Sequence, residues 1–407
     1  MSAAAGAADA GRLNRDAYLL CFSAFFADLG YQGVAALFPL LMVLRLRAPI
    51  AAYGLATALA FGGGAFFSYL GGIAGDRHDK KRVAIAGNAL IPLMALAGVM
   101  RAPWASALLF ILGWWARYFR TPARRALLVN VTRPELRGKA FAILHALDIA
   151  GGMLSALAVM LFLAMRVAVG TIMLFAVGPL VISTALLFFV RRAATYPAVT
   201  PMHAADGRGR ADRALLIGLL VATTLYGFSF YNLGFPILTA TGGRATSAGY
   251  EAGVLAFAVY LGVSALSGYV LGVRRASPTR SLWLLGYLPS ALGSGLIGVS
   301  VLMHLPAAAL YLAVAVLGLG MGAVETFEPT LVSALVQHSE LSRGMGFLSV
   351  SRSVGQFLSN LAMGLLFVLG PSAPYFYAFV SALLAALVLG GVARRQGRGA
   401  GSVSGFR

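Results

Sequence analysis

Charged residues that could carry chemistry are scarce in this chain of 407 residues, and several of them lie inside long apolar runs. If those runs cross a membrane, each such charge costs about 2.5–3.5 kcal/mol, so the charges that persist mark ion or substrate sites. A carboxylate in that position can take up a proton, and a guanidinium group can neutralise it. The candidates for an intramembrane charge network are Asp28, Arg117, Arg120, Asp148, Glu325 and Arg352.

Depth along the apolar runs predicts which of these charges pair. Asp148 lies about nine residues into its run, roughly 14 Å at 1.5 Å per residue, and Arg117 lies at a similar depth in the preceding run. Glu325 and Arg352 have the same relation in the second half of the chain, with the signs reversed. We therefore predict the pairs Arg117–Asp148 and Glu325–Arg352. Each pair either only neutralises its charges or binds a proton as it opens, and the sequence leaves both roles open.

Asp28 is predicted to be the main proton-binding carboxylate, because its own apolar run contains no basic residue. Tyr31 and Gln32 follow at i+3 and i+4 and extend the same polar helix face. The alternative is a carboxylate that is neutralised by Arg117 or Arg120. Glu328 precedes a proline, and we expect it to bond only the backbone groups that the proline leaves free.

The composition places these charges in a membrane protein. Hydrophobic residues make up 59% of the chain and charged residues 11%, against about a quarter charged in soluble domains. The single cysteine, Cys21, excludes an intrachain disulfide framework. The net charge of +19 is spread in short clusters between apolar runs, which argues against a nucleic-acid-binding domain.

Twelve apolar runs are long enough to cross a bilayer as helices. They lie at about 17–42, 50–72, 83–100, 104–127, 139–164, 167–190, 214–239, 249–272, 281–303, 306–334, 345–369 and 373–393. With the N-terminus in the cytoplasm, 24 Lys and Arg residues fall on the inner side and 5 on the outer side. That ratio follows the positive-inside rule and predicts that both termini are cytoplasmic.

The chain is predicted to contain two related six-helix bundles. A shift of 197 residues places Gly30, Phe38 and Pro39 on Gly227, Phe235 and Pro236. The predicted parts are a cytoplasmic tail at 1–16, a bundle at 17–190, a cytoplasmic linker at 191–213, a second bundle at 214–393 and a basic tail at 394–407. Parallel repeats of this kind occur in transporters whose halves rock about a central site.

The segment 72–82, Gly-Ile-Ala-Gly-Asp-Arg-His-Asp-Lys-Lys-Arg, joins predicted helices 2 and 3. It resembles the hallmark loop of the major facilitator superfamily, with Asp79 where that family usually has glycine. The resemblance implies a cytoplasmic gating loop that latches the two halves, formed by Gly72, Asp76, Arg77, Lys81 and Arg82. Gly72 would allow a close helix approach, and Arg77, Lys81 and Arg82 would anchor to anionic headgroups. The alternative is that these basic residues only set the topology.

The resemblance also implies an all-α transporter that moves a small organic solute by alternating access. It places predicted helices 1, 4, 7 and 10 around a cavity, for which the substrate-binding candidates are Tyr31, Gln32, Tyr226, Asn232 and Gln356. We expect coupling to protons and favour export over uptake, because no dense polar cluster lines the cavity helices. The remaining alternatives are a proton-coupled uptake symporter, a transporter-like sensor and a lipid-moving protein.

We expect no enzymatic activity, metal or cofactor, since the sequence contains neither a Walker loop nor a metal-ligand cluster. The expected partners are a small-molecule substrate, protons and anionic membrane lipids, and the expected state is a monomer. The expected location is the inner membrane of a prokaryote.

Overall fold

The computed structural model describes residues 13–191, 210–273, 278–335 and 341–401. Within those ranges the regular structure is entirely helical, which confirms the all-α part of the predicted fold class. The predicted linker at 191–213 and the tail at 1–16 lie largely outside the described residues, whereas the helix Ala373–Gly401 continues into the predicted tail at 394–407.

The helices of the first half of the chain are α1 (Arg15–Pro39), α2 (Ile50–Thr57), α3 (Gly64–Arg77), α4 (Lys80–Leu90), α5 (Leu93–Leu96), α6 (Pro103–Val131), α7 (Arg137–Ala164), α8 (Val169–Phe175) and α9 (Val177–Phe189). Those of the second half are α10 (Arg210–Gly227), α11 (Gly234–Thr241), α12 (Ser247–Val273), α13 (Pro278–Ser281), α14 (Leu288–Leu302), α15 (Ala307–Leu335), α16 (Leu341–Leu366) and α17 (Ala373–Gly401). Short π-helical segments follow α1, α2 and α13, at Leu40–Arg45, Ala58–Gly62 and Leu282–Tyr287. Short 3-10 turns occur at Ala97–Val99 and Pro134–Leu136.

The chain divides into two compact units. The first comprises Met1–Arg47 and Gly63–Thr200, and the second comprises Ala48–Gly62 and Pro201–Arg407. The second unit therefore includes α2 and the π-helical segment after it, which pack on α16. The approach is close, because a methyl group added at Gly54 would lie 2.7 Å from the Cα atom of Gly364.

The same pattern of helix pairing occurs in both units. In the first unit α1 packs on α7 and α9, and α6 packs on α3 and α4. In the second unit α10 packs on α16 and α17, and α15 packs on α12 and α14. The pairing of α4 with α9 likewise has its counterpart in that of α14 with α17. Each pairing thus recurs six predicted helices later in the chain.

Nine helices in the described part of the chain are long and apolar enough to cross a membrane. The three other predicted spans, helices 4, 7 and 11, are too polar or too short to be counted with these nine, each for an identifiable reason. Arginines lower the hydropathy of α6, and predicted helix 7 is divided into α10 and α11 by a break at 228–233. In α16 a polar face that includes Arg352 and Asn360 has the same effect.

Large apolar side chains cover much of the surface. Trp104 is 73% exposed, Tyr269 is 74% exposed and Leu369 is 78% exposed. Water-soluble monomers rarely expose contiguous apolar patches of more than a few hundred Å². Such a surface fits contact with lipid acyl chains.

Candidate functional site

A buried ionic cluster lies in the interior of the second unit, around Glu328 of α15. The Glu328 side chain is fully buried. Its Oε1 atom accepts hydrogen bonds from the Tyr287 hydroxyl at 2.5 Å and from the Thr223 hydroxyl at 3.1 Å. Oε2 accepts from Nε of Arg352 at 2.6 Å. The carboxylate thus joins α15 to α10, α16 and the π-helical segment Leu282–Tyr287.

Arg352 of α16 connects two carboxylates. Its Nη1 atom donates to Oε1 of Glu325 at 2.8 Å, so the predicted contact between these residues is present. Its Nη2 atom donates to the Val324 carbonyl oxygen at 3.4 Å. The expectation for Glu328 was wrong, because this residue binds side chains on three other elements instead of the backbone beside the proline. Its position three residues after Glu325 places both carboxylates on one helix face, and that spacing was the available signal.

The charges of this cluster do not cancel when all three groups are ionised. Glu325 and Glu328 carry two negative charges and Arg352 carries one positive charge, which leaves one negative charge in excess. The two carboxylates also differ in access to solvent. The Glu325 side chain is 48% exposed and the Glu328 side chain is 0% exposed. Glu325 is therefore the more accessible of the two carboxylates.

Aromatic and hydroxyl side chains extend the cluster. The rings of Tyr226 and Tyr287 stack with their centroids 4.7 Å apart, and the Tyr226 hydroxyl lies 3.1 Å from Oγ of Ser290. Tyr226 is 3% exposed. This predicted substrate residue is thus packed and hydrogen-bonded inside the second unit, beside the ionic cluster.

Asn232, another predicted substrate residue, stabilises the break between α10 and α11. Its Oδ1 atom accepts from the Tyr53 hydroxyl and from the Gly234 amide, each at 2.7 Å. The backbone N–H of Asn232 donates to Oδ1 of Asn360 at 2.8 Å. Gln356 lies one turn from Asn360 on α16 and is half-buried. The Asn232 side chain is therefore engaged within the protein.

In the first unit, Asp28 lies on α1 and is 4% exposed. The Tyr31 hydroxyl donates a hydrogen bond to its Oδ1 atom, and Nε2 of Gln32 donates to the same atom at 3.3 Å. Gly151 of α7 allows the close approach of the two helices, because a methyl group there would lie 3.2 Å from Cβ of Asp28. The predicted polar face of Asp28, Tyr31 and Gln32 is therefore present and turned inwards.

Arg117 of α6 is surrounded by aromatic rings. Its guanidinium carbon lies 4.6 Å from the ring centroid of Tyr31, 5.1 Å from that of Trp114 and 5.6 Å from that of Tyr118. Its Nε atom is buried without a hydrogen-bond partner. A guanidinium group over aromatic faces is held by cation–π attraction, and part of its hydrogen-bonding capacity remains unused here.

The prediction that Asp148 pairs with Arg117 was wrong, because a different arginine of α6 approaches Asp148. Asp148 of α7 lies 4.0 Å from Nη2 of Arg124 instead. Arg117 and Arg124 are seven residues apart, so they occupy the same face of α6 two turns from each other. Counting residues from uncertain span ends could not separate them.

Arg120 is 1% exposed and belongs to a polar network between helices. Its Nη1 atom donates to Oδ1 of Asn88 on α4. Asn88 in turn donates to Oγ of Ser183 at 3.1 Å and to Oγ1 of Thr184 at 2.8 Å, both on α9. The Ser183 hydroxyl donates to the carbonyl oxygen of Ser23 on α1 at 2.6 Å. This network joins four helices, and sequence reasoning missed it because its acceptors are neutral.

The loop between α3 and α4 is ordered by Asp79. Its Oδ1 atom accepts from the amides of Lys81 at 2.8 Å and Arg82 at 3.4 Å, which makes Asp79 the N-cap of α4. Its φ is −60°, so the loop uses no left-handed residue at the family's glycine position. A helix cap thus replaces the glycine turn.

Two expectations for this loop were wrong. A methyl group at Gly72 would meet nothing within 4 Å, whereas the neighbouring Gly71 packs against the backbone of Phe119 on α6. Nζ of Lys81 donates to the carbonyl oxygens of Phe188 at 2.8 Å and Val190 at 2.7 Å instead of extending to headgroups. The remaining predicted gating residues, Asp76, Arg77 and Arg82, are exposed, and their roles stay predictions.

The family model of the Major Facilitator Superfamily matches residues 20–274. The chain belongs to the Major Facilitator Superfamily, which confirms the resemblance seen in the loop at 72–82. Membership supports solute transport across a membrane. No curated protein sequence matches the chain at a significant level.

Solved structures similar to the chain are transporters of this fold. A POT family transporter in complex with a thioalcohol-conjugated peptide gives a TM-score of 0.75 at 13% identity, covering 94% of this chain and 96% of that one. A mutant of the nucleoside transporter NupG gives 0.71 at 13% identity, covering 93% and 100%. A bacterial homologue of the human lysosomal transporter Spinster gives 0.63 at 13% identity, covering 93% and 95%. At this identity the likeness concerns the fold alone.

Proposed function

We propose that the chain crosses the membrane twelve times as two six-helix bundles, at 17–190 and 214–393, joined by a cytoplasmic linker. The recurrence of the pairings of α1 with α7 and α9, of α6 with α3 and α4, and of α4 with α9 six predicted helices later supports two related halves. The excess of basic residues in alternate loops supports twelve crossings with cytoplasmic termini. We place the protein in the inner membrane of a prokaryote.

The protein acts as a proton-coupled secondary active transporter of a small organic solute, working by alternating access. The single observation that carries proton coupling is the cluster of Glu325, Glu328 and Arg352. The cluster carries one excess negative charge, and only Glu328 of its two carboxylates is fully buried. Uptake of one proton makes the cluster neutral.

Glu325 is the proton acceptor of this cluster in the proposed mechanism. When Glu325 is protonated, Arg352 keeps its pairing with Glu328, so the contact between α15 and α16 survives the proton transfer. When the proton leaves, Glu325 again competes for the same guanidinium group. Proton binding therefore changes how Arg352 is shared without leaving Glu328 unpaired.

Asp28 is a second carboxylate that can carry a proton. It is buried on α1, and its described hydrogen-bond donors are the neutral side chains of Tyr31 and Gln32. Coulombic interactions link it to Arg117, Arg124 and the second carboxylate, Asp148. A change in its protonation therefore alters the balance of charge along α6 and α7.

The candidate residues for substrate contact divide into two groups. Tyr226 and Asn232 are engaged within the second unit, so they shape the interior. Gln32 and Gln356 are half-buried amides on α1 and α16 that can hydrogen-bond a solute. In the first unit, Gln32 and the aromatic residues around Arg117 favour a solute that combines apolar surface with a few polar groups. Export remains the favoured direction of transport.

The test uses proteoliposomes containing the purified chain and a solute identified by thermal-shift screening. Substrate counterflow requires alternating access only, whereas uphill flux driven by a pH gradient also requires coupling. Glu325→Gln and Asp28→Asn imitate the protonated carboxyls, and we expect each variant to retain counterflow. Each should lose at least about 90% of the pH-driven flux, which corresponds to an increase of about 1.4 kcal/mol in the activation free energy.

The matched control is Glu251→Gln, which removes a carboxylate from α12, a neighbour of α15, outside the cluster. It should retain both activities. Full pH-driven flux in both Glu325→Gln and Asp28→Asn would rule out the coupling role. Binding of the solute by the wild-type protein without any flux would instead indicate a sensor.

A further inference from the structure

A cavity with two arginines lies at one end of the first unit, opposite the loop between α3 and α4. Its volume is about 380 Å³. It is lined by the end of the π-helical segment Leu40–Arg45, by residues 98–101 and by the region where α8 begins. Arg45 and Arg101 contribute the charged groups of the lining, and Thr171 contributes a hydroxyl.

The connecting segments around this cavity contain no acidic residue that could balance its arginines. These segments, 40–50, 97–103 and 164–171, include Arg45, Arg47, Arg101 and Arg166, and they include no Asp or Glu. Among the described residues neither Arg45 nor Arg101 takes part in an ion pair. Arg101 also lies just before the N-terminus of α6, where the helix dipole is positive and disfavours a cation.

The Arg45 guanidinium group lies over the backbone at the base of the cavity. A methyl group added at Gly170 would lie 3.1 Å from Nη1 of Arg45. The Gly170 backbone in turn packs on Gly98, whose added methyl group would lie 2.8 Å from the Gly170 carbonyl oxygen. A larger residue at either glycine would fill the base of the cavity or displace the guanidinium group.

In the proposed topology this end of the unit faces away from the cytoplasm, the side on which arginine is scarce. Only 5 of the Lys and Arg residues fall on that side of the whole chain, and two of them line this one cavity. Two guanidinium groups without a counter-charge repel each other, and an anion bound between them removes that repulsion.

We propose that this cavity is a binding site for a phosphate-type anion, which Arg45 and Arg101 hold between them. The two non-bridging oxygens of a phosphodiester share one negative charge, and inorganic phosphate has further charged oxygens, so either group can accept hydrogen bonds from both guanidinium groups. The helix ends lie at the depth of lipid headgroups, so a phospholipid phosphodiester is the favoured source. Free phosphate offers the same chemistry in soluble form.

The experiment measures ligand binding to the detergent-purified full chain by native mass spectrometry at fixed ionic strength. Phosphatidylglycerol, phosphatidylethanolamine and inorganic phosphate are titrated separately. We expect Arg45→Gln and Arg101→Gln each to weaken binding about fivefold, the equivalent of about 1 kcal/mol for one arginine at a membrane surface. Loss for a phospholipid identifies a headgroup site, and loss for inorganic phosphate alone identifies a soluble phosphate site.

Arg47→Gln and Arg166→Gln are the matched controls, because they remove the same charge from the same end of the unit outside the cavity lining. Both residues have a positive φ, 55° and 59°, and Gln keeps that backbone state as Arg does. The controls should change binding less than about twofold. Arg45→Lys and Arg101→Lys keep the charge and guard against loss of folding, and we expect weakening between these limits. Equal loss in cavity and control variants, or wild-type binding in both Gln variants, would overturn the proposal.

Discussion

Removal of the Arg352 charge is predicted to be among the most damaging single changes in the second unit. In Arg352→Gln the buried Glu328 carboxylate keeps its bonds from Tyr287 and Thr223 but loses its cation. Breaking a buried pair by removing one partner costs about 3–5 kcal/mol, because the other charge stays desolvated. Glu325→Gln should cost no more than about 1 kcal/mol, because that side chain is half exposed and solvent screens the pair.

The assay is reversible unfolding in mixed detergent micelles, which gives the free energy of unfolding for each variant. The decisive comparison is the double variant Arg352→Gln with Glu328→Gln. It removes both buried charges, and Tyr287 and Thr223 can still donate to the side-chain carbonyl of the amide that replaces the Glu328 carboxylate. We expect the double variant to recover at least about 2 kcal/mol of the loss seen for Arg352→Gln alone. A double variant as unstable as Arg352→Gln would refute the reasoning, since the instability would then not arise from the unpaired carboxylate.

Three further predictions concern contacts in the first unit, and each is measured as a change in the free energy of unfolding. Lys81→Met should cost about 1–2 kcal/mol because two carbonyl oxygens at the end of α9 lose their donor, while the exposed Arg82→Gln should cost less than about 0.5 kcal/mol; equal effects would contradict this role of Lys81. Asp79→Ala should cost about 1 kcal/mol through loss of the α4 cap, and Asp79→Asn should restore most of it; failure of Asn to do so would contradict the capping role. Asn88→Ala should cost about 2–3 kcal/mol because the buried Arg120 loses its acceptor; a loss below about 1 kcal/mol would contradict the network.

The sequence predicted the features that depend on periodicity and on scarce residue types. Long apolar runs can only be helices in lipid, so the fold class followed from composition. The contact of Arg352 with Glu325 was predicted from their similar depth, whereas the shorter contact of Arg352 with Glu328 was not. The family was predicted from the short loop at 72–82, whose residue types and spacing are specific even with Asp79 in place of glycine.

The features that the sequence did not predict depend on the rotation of one helix about its axis relative to another. Arg117 and Arg124 share a face of α6, and only the packed structure shows which of them Asp148 approaches. Gly71 and Gly72 are adjacent, but Gly71 faces the backbone of α6 and Gly72 faces open space. The cavity lined by Arg45 and Arg101 is formed by three segments that are far apart in the chain, so no local pattern could indicate it.

The central claim is that solute movement is coupled to a proton carried by the cluster of Glu325, Glu328 and Arg352. The most direct measurement is the pH inside proteoliposomes loaded with a pH-sensitive dye, after addition of a solute gradient without any imposed proton gradient. The wild-type protein should move protons in the direction opposite to the solute, and Glu325→Gln should move the solute without protons. Solute flux in the wild-type protein with no change in internal pH would contradict the claim.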